Sequence, residues 1–144
     1  MDAMETGLRH RLRRAVRQIA SQHEHLRSAH RAVAEAAEAG DIHALELGIN
    51  RLQGAIDAHF SLEEGVFFPA IHGLHPQSES LLSALVSEHA VQRADLERLR
   101  AALGARPLAE FVADYRAFAA VTAEHEAREE RLLASLAHLH DSAV

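Results

Sequence analysis

The chain has 144 residues, of which 48% are hydrophobic, 25% charged and only 4% aromatic, and it carries a formal net charge of -6. That length suits one domain with its own core, the scarcity of aromatics argues against a sheet protein, and the negative balance argues against a nucleic-acid partner. The absence of cysteine excludes disulfides, thiolate metal sites and iron–sulfur clusters and fits the cytoplasm, and no apolar run approaches the roughly 18 residues of a membrane span.

Breaks at "AGD" (39–41), "HGLHPQS" (72–78) and "GARP" (104–107) leave four segments, about 8–39, 42–72, 77–103 and 107–139. Gly40 and Gly104 read as residues just past a helix end, Asp41 as an N-cap and Pro107 as a helix start. Each segment carries a stripe at helical spacing. The first runs Leu12, Val16, Ile19, His23, Leu26, His30 and Val33; the second Leu45, Ile49, Leu52, Ile56, His59, Glu63 and Val66. The third runs Leu82, Leu85, His89, Leu96, Leu99 and Leu103; the fourth Tyr115, Phe118, Thr122, His125, Glu129, Leu132 and Leu136. Long amphipathic helices joined by short loops predict one all-α domain over 1–144, an antiparallel up-down-up-down four-helix bundle. Gly48, Gly54 and Gly65 inside the second segment, with Pro69 near its end, mark sites of close packing or a kink.

Twelve histidines are more than such a chain ordinarily carries, and four of them recur in register. His23 to His89, His59 to His125 and Glu63 to Glu129 are each 66 positions apart, so each half is a helix with one inward His followed by a helix with His-x-x-x-Glu. Residues at i and i+4 share a helix face. Counted from the loops, the four helices bring these six side chains to one height within one or two turns. Six ionisable groups buried together need compensation. Cations supply it: a mixed imidazole and carboxylate set suits iron, manganese or zinc, and two bridging Glu suit two ions.

The stretches "QHEHLR" (22–27), "HFSLEEGVFFP" (59–69), "SEHAVQRADLERL" (87–99) and "AEHEAREERLL" (123–133) together resemble the hemerythrin-like, or HHE cation-binding, family over nearly the whole length. The resemblance implies a non-haem centre of two iron ions with an oxo or hydroxo bridge. Its ligands would be His23, His59, His89 and His125, with Glu63 and Glu129 bridging. His25 competes with His23, although it turns about 160° off the stripe, and His30 lies on the stripe nearer the loop. Glu130 competes with Glu129, because oxygen-carrying relatives bridge with an acid five residues after the His. Those relatives also place a second ligating His where this chain has Arg93, whose guanidinium cannot donate a lone pair. Arg93 would instead lend positive charge to a bound anion, and His30 or Glu64 could fill the gap.

The resemblance implies a di-iron protein that binds or reacts with O2, peroxide or another small diatomic ligand; if it turns these over, it is an oxidoreductase. The alternative is an iron-handling or oxygen- or iron-sensing module without turnover. The remaining His10, His72, His75, His138 and His140 group toward the end of the bundle opposite His43, and are expected to be solvated polar residues.

Overall fold

A computed structural model describes residues 2–141, without the side chains of Leu133 and of 136–141. The expectations for Leu136, His138 and His140 therefore lie outside the described residues. The described chain is helical, without strands. Helix α1 spans Ala3–Ala39, α2 Ile42–Leu62, α3 Phe68–Leu74, α4 Glu79–Ala102 and α5 Leu108–Asp141. A π-helical turn, Glu63–Phe67, joins α2 to α3 without a break, so the two form one long arm and four helical arms result. Among the described residues no helix is long and apolar enough to cross a membrane.

The ends follow from local chemistry. α1 starts five residues before the expected position because Asp2 caps it, its carboxylate accepting from Glu5 N at 2.7 Å. Gly40 ends it at φ 67°, a left-handed conformation open to glycine. One residue later the Asp41 carboxylate accepts from Ala44 N at 3.0 Å and opens α2. Gly104, at φ 83°, makes the other tight reversal, before Pro107.

The π-helical turn corrects the expected stripe. Pro69 brings no N–H, and its ring crowds the carbonyl four residues back. Widening the turn ahead of it relieves that clash, and Phe68 N reaches back to Glu63 O. The extra residue rotates the face, so Val66, expected inside, is exposed and Phe67 is fully buried. In α1 the buried neighbour of Leu12 and Ile19 is Ala15, and Val16 points outward. Of the glycines in the second arm, Gly48 does mark close packing, since a Cβ there would stand 3.1 Å from Val33. Gly54 and Gly65 face open space.

Two apolar clusters form the core. One joins Leu26 to Ala36 of α1 with Leu45 to Phe60 of α2, Leu96 and Leu99 of α4, and Phe111 to Phe118 of α5. The other joins Leu12 to Ile19 of α1 with Phe67 to Ile71, Leu82 and Leu85. Burying each such large side chain contributes about 1.5–3 kcal/mol. His23, Glu63 and His89 fall between the two clusters along their arms, His59 stands beside Phe60 at the edge of the first, and His125 and Glu129 lie between Phe118 and the partly buried Leu132. A polar layer is thus walled off at both ends by packed hydrocarbon.

Candidate metal centre

The structure brings all six of those side chains together, none more than 3% exposed. His23 Nε2 lies 3.2 Å from His59 Nε2, and His89 Nε2 lies 3.1 Å from His125 Nε2. Both pairs are 36 residues apart in the chain, as the internal repeat requires. Glu129 sits between them, its Oε1 2.5 Å from His125 Nε2 and 3.2 Å from His89 Nε2, its Oε2 3.8 Å from His59 Nε2. Glu63 Oε1 lies 3.0 Å from His59 Nε2 and 3.5 Å from His89 Nε2.

The outer nitrogens matter as much. His59 Nδ1 meets Gln22 Oε1 at 3.0 Å, and His125 Nδ1 meets Glu88 Oε2 at 3.1 Å. His89 Nδ1 faces Glu64 Oε2 at 3.5 Å, and His23 Nδ1 faces Glu130 Oε1 at 3.4 Å. Gln22 and Glu88 are themselves 66 positions apart, as are Glu64 and Glu130. The repeat thus reproduces the partners as well as the core residues. An acceptor at Nδ1 holds the proton on that nitrogen and leaves the Nε2 lone pair facing the core, the usual arrangement behind metal-bound imidazoles.

The fit to cations rests on what the core lacks. Both oxygens of Glu63 and Oε2 of Glu129 are buried without a hydrogen bond, although imidazole nitrogens lie close to them. Unpaired carboxylate oxygens in a dry layer are costly unless a cation meets them. Two donors about 2.1 Å from one ion stand roughly 3 Å apart, the spacing of both Nε2 pairs. Within this core, two sets have donor atoms within 4.8 Å of one another: His23, His59 and Glu129, and His89, His125 and Glu129. Glu129 belongs to both.

Electrostatics carry the same strain. Burial pushes the Glu63 carboxyl up to about 8. Burial and the neighbouring His59 push His23 down to about 4. For His59, burial opposes the charge, but the carboxylates of Glu129 and Glu63 outweigh it and raise the imidazole to about 9. Glu129, despite its burial, is held well below the usual carboxylate range by His125, His59 and His89. One anion ringed by imidazoles, beside a second carboxyl that resists ionisation, is a site short of positive charge.

The competing residues fall elsewhere. His25 is exposed. His30 Nδ1 donates to the Tyr115 hydroxyl at 2.8 Å, and that hydroxyl donates to His30 O at 3.1 Å. Glu130 is half exposed and approaches His23 only from its outer side. Arg93 does not present its charge to the core. It pairs with Glu64 at 3.0 Å and lies over Phe60, 5.2 Å from the ring centroid, while Phe60 stacks on His89. Its effect on the core runs through Glu64, because the ring and the acid pair intervene. His10 and His72 are exposed, as expected, and so is His43 at the opposite end; His75, expected to be solvated, is instead half-buried where the chain turns from α3 toward α4.

Gln92 carried no sequence signal. It is 1% exposed, one turn from His89, with both amide atoms unpartnered. The only hint was that its counterpart 66 positions earlier is Leu26, a polar residue replacing an apolar one.

Residues 14–137 match a family model described as the hemerythrin HHE cation binding domain. No curated protein and no solved structure matches the chain.

Proposed function

The chain belongs to the hemerythrin HHE cation-binding family, and on that premise we propose that its core holds two iron ions and reacts with O2 or peroxide. The observation that carries this reading is the inward set of Nε2 atoms facing carboxylate oxygens that have no other partner. His23 and His59 would hold one ion, His89 and His125 the other, with Glu63 and Glu129 spanning both. When bound, such ions supply Lewis-acid and one-electron redox chemistry.

The chain's own groups prepare that site. Gln22 and Glu88 fix the His59 and His125 rings by their Nδ1 atoms, so both Nε2 atoms stay available. The protons that His59 and Glu63 each carry in the metal-free core must leave as cations enter, which couples loading to proton release. Phe60 and Phe68 flank His89, with ring centroids 3.7 and 5.8 Å away, and keep water from that side. Six side chains, giving each of two ions two imidazole nitrogens and two carboxylate oxygens, would leave positions for a small ligand. Arg93 replaces a further imidazole donor and is tied up with Glu64, so it adds none.

The reading also takes the fold as an up-down-up-down bundle. It is supported by the alternation of ends within one apolar cluster: late α1, early α2, late α4 and early α5. We take 1–144 as a single domain of this kind.

The test is addition of O2 or peroxide to iron-loaded, reduced protein, followed by visible absorption. Reaction to a stable oxidised spectrum supports it. Iron that binds but consumes neither oxidant would assign the chain to iron handling or sensing. An oxygenated spectrum that vanishes on removing O2, over repeated cycles, would make it a carrier.

A further inference from the structure

Besides Gln92, which stands where the first half has Leu26, the 66-residue repeat that relates the two halves breaks at Phe60, beside the core. Phe60 lies flat against His89, with rings 5° from parallel. Its counterpart 66 positions on is Glu126, which stands instead beside His23. Glu126 Oε1 is 3.6 Å from His23 Nδ1 and Glu130 Oε1 is 3.4 Å from it, and neither contact is a hydrogen bond. Glu126 Oε1 is buried and has no hydrogen-bond partner at all. Donor atoms of these three residues lie within 4.8 Å of one another. Side-chain exposure climbs from 4% at His23 through 18% at Glu126 to 52% at Glu130. The His89 side has no such gradient, because Phe60 covers the ring and Arg93 holds Glu64.

We propose that His23 Nδ1, Glu126 and Glu130 form an outer cation site that captures divalent metal from solvent and loads the core. This rests on reading the core as a cation site. A hydrated divalent ion entering a dry layer must exchange water for protein oxygen and nitrogen in steps, and imidazole with two carboxylates suits iron and its neighbours. His23 is nine-tenths buried and turns one ring nitrogen to each site, so the outer and inner positions sit on opposite edges of one imidazole. A neutral imidazole has one lone pair to give. The outer site therefore empties as the inner one fills, and the two carboxylates then accept the Nδ1–H, as Glu64 faces that of His89. Arg27, 3.8 Å from Glu130 and more than half exposed, stands at the solvent edge of the site and offsets part of its negative charge.

The experiment follows cobalt(II) uptake by metal-free protein, using its visible bands in stopped flow and elemental analysis at equilibrium. Wild type, Glu126→Gln, Glu126→Gln with Glu130→Gln, and the exposed control Glu124→Gln are compared, with circular dichroism to verify folding. Carboxylates that focus a cation raise its capture rate about 10-fold or more. The double variant should load at least that much more slowly, reach the same final cobalt per chain, and the control should load at the wild-type rate. Glu130→Gln alone, at a half-exposed position, slows loading by a smaller factor without any demand on folding. An unchanged rate in the double variant overturns the proposal. So does an unchanged rate with lower final cobalt, which would make Glu126 a resident ligand or support. Failure of wild type to take up cobalt refutes the core reading itself, a result distinct from either.

Discussion

Replacing Glu63 by Gln should change stability in opposite directions with and without metal. Glu63 is fully buried, neither oxygen has a hydrogen bond, and burial raises its carboxyl from 4.5 to about 8. For an acid with a raised folded value, the unfolded chain loses its proton first. The folded state then pays no penalty below pH 4.5, loses stability as pH rises from there to about 8, and bears the whole loss above. At pH 7 the gap is two and a half units, an upper bound of about 3 kcal/mol at 1.36 kcal/mol per unit. Coupling to His59 and Glu129 reduces it, so about 1–3 kcal/mol is expected. Glutamine keeps the shape and needs no proton. Metal-free Glu63→Gln should therefore melt higher than metal-free wild type, by roughly 3–10 °C for a domain of this size, and lose part of the decline in stability from pH 5 to 8. In iron-loaded protein the order should invert, since the variant lacks a ligand and gains less from metal. The assay is thermal unfolding by circular dichroism with chelator or with iron. A variant that melts lower in both states would show Glu63 to be an ordinary structural acceptor, and the argument from its unpaired oxygens would fail.

Alanine at Glu129 should lower iron per chain far more than alanine at exposed His25, as elemental analysis would show; equal content would remove Glu129 from the site. Gln92→Leu, which restores the residue type of its repeat counterpart, should stabilise metal-free protein by about 1–3 kcal/mol by removing two unsatisfied buried groups, and urea unfolding would reveal a loss instead if hidden partners satisfy them. Phe60→Ala should cost about 3–5 kcal/mol through the cavity it leaves and broaden the ring resonances of His89 by NMR; sharp, unshifted resonances would argue that Phe60 does not hold that ring. Replacing His72, His75, His138 and His140 together should leave iron content unchanged, and a marked loss would give that end of the molecule a role in metal uptake.

The helices and the polar layer were legible because period and repeat are written in residue types. His23, His59, Glu63, His89, His125 and Glu129 stand on apolar stripes at matched heights, and the structure places them in one layer. Choosing between neighbours needed only helix rotation for His25, but for Glu130 it needed the burial that separates it from Glu129. The π-helical turn was not legible, because Pro69 allows a kink, a break or a widened turn, and packing decides among them. That turn moved Val66 out and Phe67 in. The Nδ1 partners were within reach of the sequence: Gln22 and Glu88 precede the repeated histidines and recur at the same offset. Arg93 misled because position on a helix face fixes where a side chain starts. Its long stem and the nearby acids Glu64 and Asp57 fix where it ends.

The most direct test of the central claim is iron per chain, with wild type compared to the variant lacking both Glu63 and Glu129 carboxylates, each loaded with iron(II) without oxygen and freed of excess. The account predicts about two iron atoms in wild type, the number that two spanning carboxylates support, and less than about half an atom in the double variant while it remains folded. A folded double variant that keeps two iron atoms, or a wild type that holds none, would contradict it.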